Sequence, residues 1–217
     1  VSAHGLRVGV WDVVNQETGE VRRVSSNALL VPIKDRTGRI HSLQAILPNR
    51  PANGTDKLYL AGGAKAGNFY AIGKPQDLNG RKTFIVAEGF ATAASIHEAT
   101  GHAALVCFDA GNLLPVAAAI RERQPEAIIL IAADDDRFSV RKDGTPYNPG
   151  VDAATKAAQE VGGLLAIPQF ASLDGEPSDW NDLASREGAG VVAAQIAAAL
   201  AGAPIQAEAE PADELVG

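Results

Sequence analysis

The sequence predicts an α/β fold in which a mostly parallel sheet flanked by helices follows a small, mostly antiparallel β module. Two observations lead to this prediction. Up to residue 80, short apolar stretches alternate with turn residues, which is typical of antiparallel strands and hairpins. From Arg81 onward, continuous apolar runs alternate with alanine-rich segments of helical spacing, which is typical of strands covered by helices on both faces.

In the β module, strands are predicted between clusters of turn residues. The turns include Asp35-Arg36-Thr37-Gly38 and a loop rich in Pro, Asn and Gly over residues 48–56. A glycine-rich stretch over residues 62–67 precedes an apolar segment at residues 69–72. The predicted strands cover residues 6–14, 20–24, 29–33 and 40–47.

In the α/β part, each predicted strand is a continuous apolar run, and these runs cover residues 83–87, 104–108, 127–132 and 164–167. The helices are expected at residues 90–100, 113–124, 151–161, 179–186 and 191–200. Gly101 and Gly162 stand where glycine commonly ends a helix. We therefore expect a basic, β-rich subdomain at residues 1–80 and a catalytic domain at 81–202. Residues 203–217 have few large apolar side chains to bury, which favours a disordered tail.

The charge of the 217-residue chain is unevenly distributed. The net charge of −7 would by itself argue against a nucleic-acid partner. However, residues 1–82 contain 12 Lys and Arg against 6 Asp and Glu, whereas residues 83–217 contain 7 against 20. A basic part beside a strongly acidic one indicates that the two parts have different roles.

Several classes of protein are excluded or disfavoured. A single cysteine, Cys107, forms neither an internal disulfide nor a cysteine-based zinc site. No apolar run reaches the roughly 20 residues of a membrane-spanning helix, and the chain does not open with a signal-peptide pattern. We therefore expect a cytoplasmic protein with no membrane partner. The start at Val1 and the lack of methionine suggest a piece of a longer protein.

Acidic side chains follow two of the predicted parallel strands. Glu88 and Gly89 end the first strand, and Asp134, Asp135 and Asp136 end the third. Ligands of open parallel sheets bind beyond the carboxyl ends of the strands. Converging carboxylates require a neutralising cation, and Mg²⁺ binds oxygen ligands together with substrate phosphates. This arrangement predicts phosphoryl or nucleotidyl transfer, although acids that merely begin a solvated loop are the simpler alternative.

These residues resemble a known family. Glu88-Gly89, Asp134-x-Asp136 and the βαβαβ frame between them resemble the TOPRIM domain of bacterial-type primases, topoisomerases and certain nucleases. Further blocks extend the resemblance to primase-like TOPRIM proteins of plasmids, phages and mobile elements over roughly residues 26–200. These blocks are residues 29–47, 57–73, 88–93, 108–113, 148–150 and 178–183.

The resemblance implies roles for the strand-end acids. Glu88 would be a metal ligand or a general acid/base, and Asp134 and Asp136 would coordinate Mg²⁺, with Mn²⁺ as a possible substitute. The position between the two aspartates is often Asn in such proteins and is Asp135 here. That departure leaves the choice of ligand pair uncertain by one residue, with Asp134 and Asp136 favoured.

Four further residues are candidates for lining the site, and each has a structural alternative. They are Gly89, Asn112, Asp179 and Asp182. Asp179 or Asp182 would contact substrate or metal-bound water by the resemblance, but an N-cap serves Asp179 equally well. The stretch Gly111-Asn112 either presents amides to a phosphate or forms a turn.

Four basic residues are candidates for contacting nucleic-acid or nucleotide phosphates, namely Lys57, Lys65, Arg81 and Lys82. A solvated basic surface is the alternative for each of them. The glycine-rich stretch at residues 62–67 lacks the Gly-Lys-Ser/Thr ending of a Walker motif, so ATP hydrolysis is not indicated.

By the resemblance, the leading hypothesis is a nucleotidyltransferase, the catalytic core of a DNA primase that makes RNA primers on single-stranded DNA. Its partners would be a single-stranded template and nucleoside triphosphates in a bacterial host cell. A zinc-binding or helicase module would lie elsewhere in the full-length protein. Two alternatives remain open: a metal-dependent TOPRIM nuclease, and a catalytically silent nucleic-acid or nucleotide-binding module of a larger replication protein.

Overall fold

The computed structural model describes residues 4–15, 17–51 and 54–202, and its first sheet is antiparallel throughout. The strands are β1 (Arg7–Val14), β2 (Val21–Lys34), β3 (Ile40–Ile46) and β4 (Lys57–Tyr59), adjacent in that order. The prediction of two separate strands at 20–24 and 29–33 is wrong, because one 14-residue strand covers both. The strand continues through the polar residues between them because β1 pairs with Ser25 and Ala28 on either side of a register shift.

The second sheet is mostly parallel and confirms the predicted fold class. Its strands are β5 (Tyr70–Ile72), β6 (Gln76–Leu78), β7 (Arg81–Ala87), β8 (Ala103–Val106), β9 (Ile128–Ala132) and β10 (Leu164–Ala166). The order across the sheet is β10-β9-β7-β8-β5, and β6 also pairs with β7. The four strands from β7 to β10 are parallel, whereas β5 and β6 are antiparallel to their partners.

Helices cover both faces of this sheet, close to their expected limits. They are α1 (Phe90–Thr100), α2 (Leu113–Arg123), α3 (Pro149–Val161), α4 (Trp180–Glu187) and α5 (Ala189–Ala201). Gly101 and Gly162 end α1 and α3 in the left-handed conformation, with φ of 74° and 56°. Successive residues of β7 alternate between two apolar clusters, with Ile85 facing α1, α4 and α5 and Val86 facing α2 and α3.

The two sheets share an apolar core. Val31 and Ile33 of β2 are fully buried in the same cluster as Ile72 and Ile85 of the second sheet. Backbone hydrogen bonds between Lys34 and Phe69, at 2.8 and 3.0 Å, join the sheets directly. The first sheet is therefore packed against the second rather than attached by a loose linker.

The predicted domain limits are not decided by this packing. Strands β5 and β6 precede residue 80 but hydrogen bond into the second sheet, and a division at residue 80 stays a prediction. The tail predicted at residues 203–217 lies outside the described residues. Among the residues described, no helix combines the length and apolar character that a membrane span requires.

The shared core predicts how the chain unfolds. Ile33→Ala is expected to lower the free energy of unfolding by about 2–5 kcal/mol, because it leaves a cavity between the sheets, and to preserve one cooperative transition. Val21→Ala on the same strand is the control, since Val21 is 61% exposed and surface changes typically cost under about 0.5 kcal/mol. Chemical denaturation followed by circular dichroism measures both. Two separate transitions, with only one shifted by Ile33→Ala, would contradict the shared core.

Candidate active site

Acidic side chains converge at the carboxyl edge of the second sheet. Strands β7 and β9 are hydrogen-bonded neighbours that end in register, with Ala87 opposite Ala132. The chain then continues into Glu88 on one side and into Asp134 on the other. Asp179, which immediately precedes α4, lies near enough to Asp134 to interact with it electrostatically. Two adjacent strand ends and one helix start thus place carboxylates in a single crevice.

The environment of these carboxylates disfavours their charged forms. Burial raises the pKa of Glu88, and the neighbouring Asp136 carboxylate raises it further. Burial also raises the pKa of Asp134 well above its ordinary value, with further contributions from Glu88 and Asp179. Within the described residues, none of these four carboxylates forms an ion pair with a basic side chain. The crevice therefore gathers carboxylates that no ion pair in the described part of the chain neutralises.

Two helix starts hold the aspartates in place. Thr92, in the first turn of α1, donates its hydroxyl to Asp134 Oδ1 at 3.1 Å. The backbone amide of Gly150, in the first turn of α3, donates to Asp136 Oδ2 at 3.1 Å. A Cβ on Gly150 would lie 2.9 Å from that Oδ2 and closer still to the Asp134 carbonyl oxygen. Glycine is thus required for α3 to begin directly against the strand end.

Asp135 takes no part in this cluster. Its side chain is almost fully buried and accepts hydrogen bonds from Arg137 Nε at 2.8 Å and from Asn148 Nδ2 at 2.7 Å. Asn148 Oδ1 in turn accepts from the amide of Asp136 at 2.8 Å. Because Arg137 forms an ion pair with Asp135, the extra charge of the middle aspartate is neutralised away from the crevice.

The acids fit a divalent cation that is completed by other ligands. In the ranges that the structure describes, no three His, Cys, Asp or Glu side chains are placed to hold a metal ion by themselves. Mg²⁺ usually takes one or two protein carboxylates and completes its shell with water and substrate phosphates. Hard carboxylate oxygens without a basic partner suit that mode of binding, and Mn²⁺ accepts the same ligands.

The first sheet supplies a basic wall. Lys57 Nζ lies 3.8 Å from the position a Cβ would occupy on Gly89, and its charge lowers the pKa of Glu88 against the effect of burial. Lys65 forms an ion pair with Asp109 and lies 4.8 Å from the centre of the Tyr59 ring. Of the four predicted phosphate-contacting residues, Lys57 therefore lies beside Glu88, and Lys65 lies beside Asp109.

The other two basic candidates are not brought to this crevice. Arg81 and Lys82 begin β7, whereas Glu88 follows its last residue, so the pairs are separated by the length of the strand, about 20 Å. The Arg81 side chain donates to the Glu126 carbonyl at 2.6 Å. In the antiparallel pairing of β7 with β6, Lys82 lies opposite Asp77. Both lie at the amino edge of the sheet.

Asn112 is a structural clamp. It is buried, and its side chain accepts from the Gly67 amide at 2.7 Å while donating to the carbonyls of Asn68 and Cys107 at 2.9 and 2.8 Å. The amide is thus used to fix the glycine-rich loop against the end of β8. The turn interpretation of Gly111-Asn112 describes this position, since Asp109 caps the 3₁₀ turn Ala110–Asn112.

Asp179 and Asp182 cap helix α4. Asp179 Oδ1 accepts from the Asp182 amide at 2.7 Å, and Asp182 Oδ2 accepts from the Ser178 amide at 2.9 Å. Next to them, the fully buried Trp180 donates its indole N–H to the Ala133 carbonyl at 3.1 Å. Asp179 combines the capping role with a place beside Asp134, whereas the contacts of Asp182 are those of the cap.

Sequence reasoning gave no role to three residues that border the site, namely Tyr59, Thr92 and Asp109. The Tyr59 hydroxyl donates to the Phe108 carbonyl at 2.7 Å and accepts from Gln44 at 2.8 Å. Asp109 lies three residues beyond the end of β8 and directly after the strand predicted at residues 104–108, so the strand-end rule would have found it. Thr92 and Tyr59 carry no comparable signal in the sequence.

Comparisons with known proteins point to one family. Residues 83–190 match the Toprim domain family. DNA primase TraC of Escherichia coli is 38% identical over 144 residues, which are 66% of this chain and 10% of that relative. The chain therefore spans a small part of the relative it matches.

Solved structures share the fold. A DNA primase domain from Pseudomonas aeruginosa has a TM-score of 0.55 and 17% identity, covering 86% of this chain and 55% of that one. A DnaG primase catalytic domain bound to single-stranded DNA also has a TM-score of 0.55 and 17% identity, covering 91% and 56%. Residues 83–190 therefore belong to the Toprim domain family, and the chain has the fold of a DNA primase catalytic core.

Proposed function

We propose that this chain is the catalytic core of a DNA primase, a nucleotidyltransferase that makes RNA primers on single-stranded DNA with Mg²⁺. The observation that carries the proposal is the crevice in which Glu88, Asp134 and Asp136 lie without a basic ion-pair partner, beside Lys57. The similarity to a relative named DNA primase TraC supports the same activity.

Each group at the crevice then has a role. Asp134 and Asp136 would hold the cation, which when bound lowers the pKa of the attacking hydroxyl and stabilises charge on phosphoryl oxygens. Glu88 is either a third ligand of the cation or the proton acceptor in the reaction. Lys57 and Lys65 would contact the phosphates of the nucleotide or template, opposite the acids.

The partners follow from the same arrangement. Single-stranded DNA would lie against the basic first sheet, and a nucleoside triphosphate would bind with Mg²⁺ or Mn²⁺ at the crevice. A solved structural relative is described as bound to single-stranded DNA. We further propose that a zinc-binding or helicase module belongs to the longer protein and that the protein acts in the cytoplasm of a bacterial host.

Neutral replacement of the acids separates activity from stability. Glu88→Gln and Asp134→Asn are each expected to lower Mg²⁺-dependent primer synthesis by about a hundredfold or more. Neither should lower the melting temperature of the metal-free protein, because each removes one charge from a group of mutually repelling carboxylates. Primer yield on a single-stranded template and thermal melting measure the two effects.

Magnesium binding provides an independent readout. Mg²⁺ is expected to raise the melting temperature of the wild-type protein, because a ligand that binds only the folded state stabilises it. It should not raise that of Asp134→Asn. Asp77→Asn, on exposed β6, is the control for loss of one acid.

Wild-type primer yield from Glu88→Gln would contradict the proposal, and metal-dependent cleavage of DNA without nucleoside triphosphates would favour a nuclease.

The two lysine positions test the basic wall. Lys57→Ala is expected to reduce primer synthesis about tenfold or more, because it removes the cation beside Gly89 and Glu88. Lys82→Ala is the matched control at the opposite edge of the sheet and should change the rate less than about twofold. Steady-state kinetics with varied nucleoside triphosphate measure both variants. Equal losses from the two substitutions would show that general basic charge, not position, matters.

Gly150→Ala tests the support of Asp136. The added methyl group is forced against Asp134 and Asp136, and overpacking of this kind costs about 1–3 kcal/mol. Primer synthesis should fall with it, because the aspartates are displaced. Gly190→Ala is the control, since a Cβ there meets nothing within 4 Å. Thermal melting and primer yield are measured together, and unchanged activity in Gly150→Ala would contradict the support role.

A further inference from the structure

A hairpin begins directly after Asp136, at the carboxyl edge of the second sheet. We call residues 137–147, between β9 and α3, the β9–α3 hairpin. Its first turn is closed by the Ser139 amide donating to the Asp136 carbonyl at 2.8 Å, and its base by the Tyr147 amide donating to the Ser139 carbonyl at 3.1 Å. The tip is six to eight residues from Asp136, so it lies within about 30 Å of that residue by chain length.

Asp135 anchors both ends of this hairpin. One carboxylate oxygen pairs with Arg137 at the start of the hairpin, and the other accepts from Asn148 just beyond its end. The Asp135 amide also donates to the Ser178 carbonyl at 2.6 Å. The middle aspartate is thus a buried clamp that fixes the hairpin relative to the acid crevice.

The hairpin is ordered internally. A β-bridge joins Val140 to Pro146, and the Arg141 amide donates to the Thr145 carbonyl at 2.9 Å. The side chain of Asp143 accepts from the Thr145 amide and hydroxyl at 3.0 and 2.7 Å. Such a preformed element loses little conformational entropy when it binds a ligand.

The surface of the hairpin is basic and aromatic. Three of the seven Lys and Arg residues in the acidic part of the chain, residues 83–217, lie in these eleven positions: Arg137, which is paired with Asp135, and Arg141 and Lys142, which stand beside the one acid of the hairpin, Asp143. The Arg141 guanidinium lies 4.7 Å from the centre of the Tyr147 ring. Phe138 is 39% exposed, whereas phenylalanine is more often buried.

Basic groups beside an exposed aromatic ring, Phe138, and a half-buried one, Tyr147, are suited to single-stranded nucleic acid. The cations contact phosphates, while the rings stack on unpaired bases without regard to sequence. The local excess of positive charge, in the part of the chain that is otherwise strongly acidic, favours the anionic ligand.

We propose that the β9–α3 hairpin binds single-stranded nucleic acid and holds it next to the acid crevice. Phe138 and Tyr147 stack on bases, and Arg141 and Lys142 contact phosphates. The inference deepens the proposed function, since the bound strand would be the template or the growing primer. Binding itself requires neither Mg²⁺ nor catalysis, so the two proposals are tested separately.

The test is binding of fluorescein-labelled oligodeoxythymidine, measured by fluorescence anisotropy in EDTA over a series of salt concentrations. Phe138→Ala is expected to weaken binding about fivefold or more, the effect of losing one stacked base. Arg141→Ala/Lys142→Ala should reduce the slope of log K against log salt by about 0.7 for each phosphate that the variant no longer neutralises. Lys142→Ala alone changes an exposed side chain and should leave the hairpin ordered. A smaller salt slope in this variant therefore reflects a lost phosphate contact rather than a disordered hairpin.

The control removes two exposed cations from the same acidic part of the chain. Arg123→Ala/Lys156→Ala changes the C-terminal end of α2 and the middle of α3 and should leave affinity nearly unchanged. Photocrosslinking to an oligonucleotide containing 5-iodouracil provides a second readout, with adducts expected at Phe138 or Tyr147. Crosslinks confined to the first sheet, or wild-type affinity and salt slope in the hairpin variants, would overturn the proposal.

Failure of the two proposals gives different results. If the wild-type chain makes no primers but binds oligodeoxythymidine in a hairpin-dependent way, the binding role stands and the proposed activity falls. If primers are made and the hairpin variants bind as tightly as the wild type, the activity stands and the binding role falls.

Discussion

Electrostatic repulsion among partly buried carboxylates is the constraint around which this structure is arranged. Parallel pairing of β7 and β9 places Glu88 and Asp134 at adjacent strand ends, and burial raises the pKa of both. Left alone, such side chains would turn toward water. Hydrogen bonds from Thr92 and Gly150 instead hold the aspartates at the first turns of α1 and α3. The resulting cluster of carboxylate oxygens suits the divalent cation that we propose binds there.

The first sheet brings the opposite charge to this crevice. Its position depends on the shared apolar core around Val31 and Ile33, and the buried amide of Asn112 fixes the glycine-rich loop that carries Lys65. Lys57 and Lys65 consequently face acids that lie far away in the chain. Two basic residues of the first part of the chain thus lie beside acids of the second part.

The three consecutive aspartates illustrate how strand geometry divides chemically identical residues. Asp134 and Asp136 contribute to the acid crevice, while Asp135 is buried on the other side, paired with Arg137 and Asn148. Alternation of side chains along an extended chain accounts for this division. The same alternation lets one residue anchor a projecting hairpin without adding to the charge that a metal ion must neutralise.

Local patterns in the sequence determined much of the fold. Continuous apolar runs located strands β7 to β10, helical spacing located the five helices, and the rule that ligands bind beyond parallel strand ends singled out Glu88 and Asp134. These features were predictable because buried strands and helices show as apolar patterns within a short stretch of sequence. Residues at strand ends directly follow such a stretch. The polar residues from Ser25 onward led to the wrong prediction of two strands where β2 is one. Backbone pairing with β1 continues the strand there, and such pairing does not require apolar side chains.

Only the tertiary structure decided which distant residues meet. Lys57 and Lys82 are equivalent as sequence candidates, yet one lies beside Glu88 and the other at the far end of β7. Asn112 looks like a turn residue and proves to join three chain segments. Such contacts depend on strand order and on packing between segments about 45 residues apart, which periodicity within a short window does not encode.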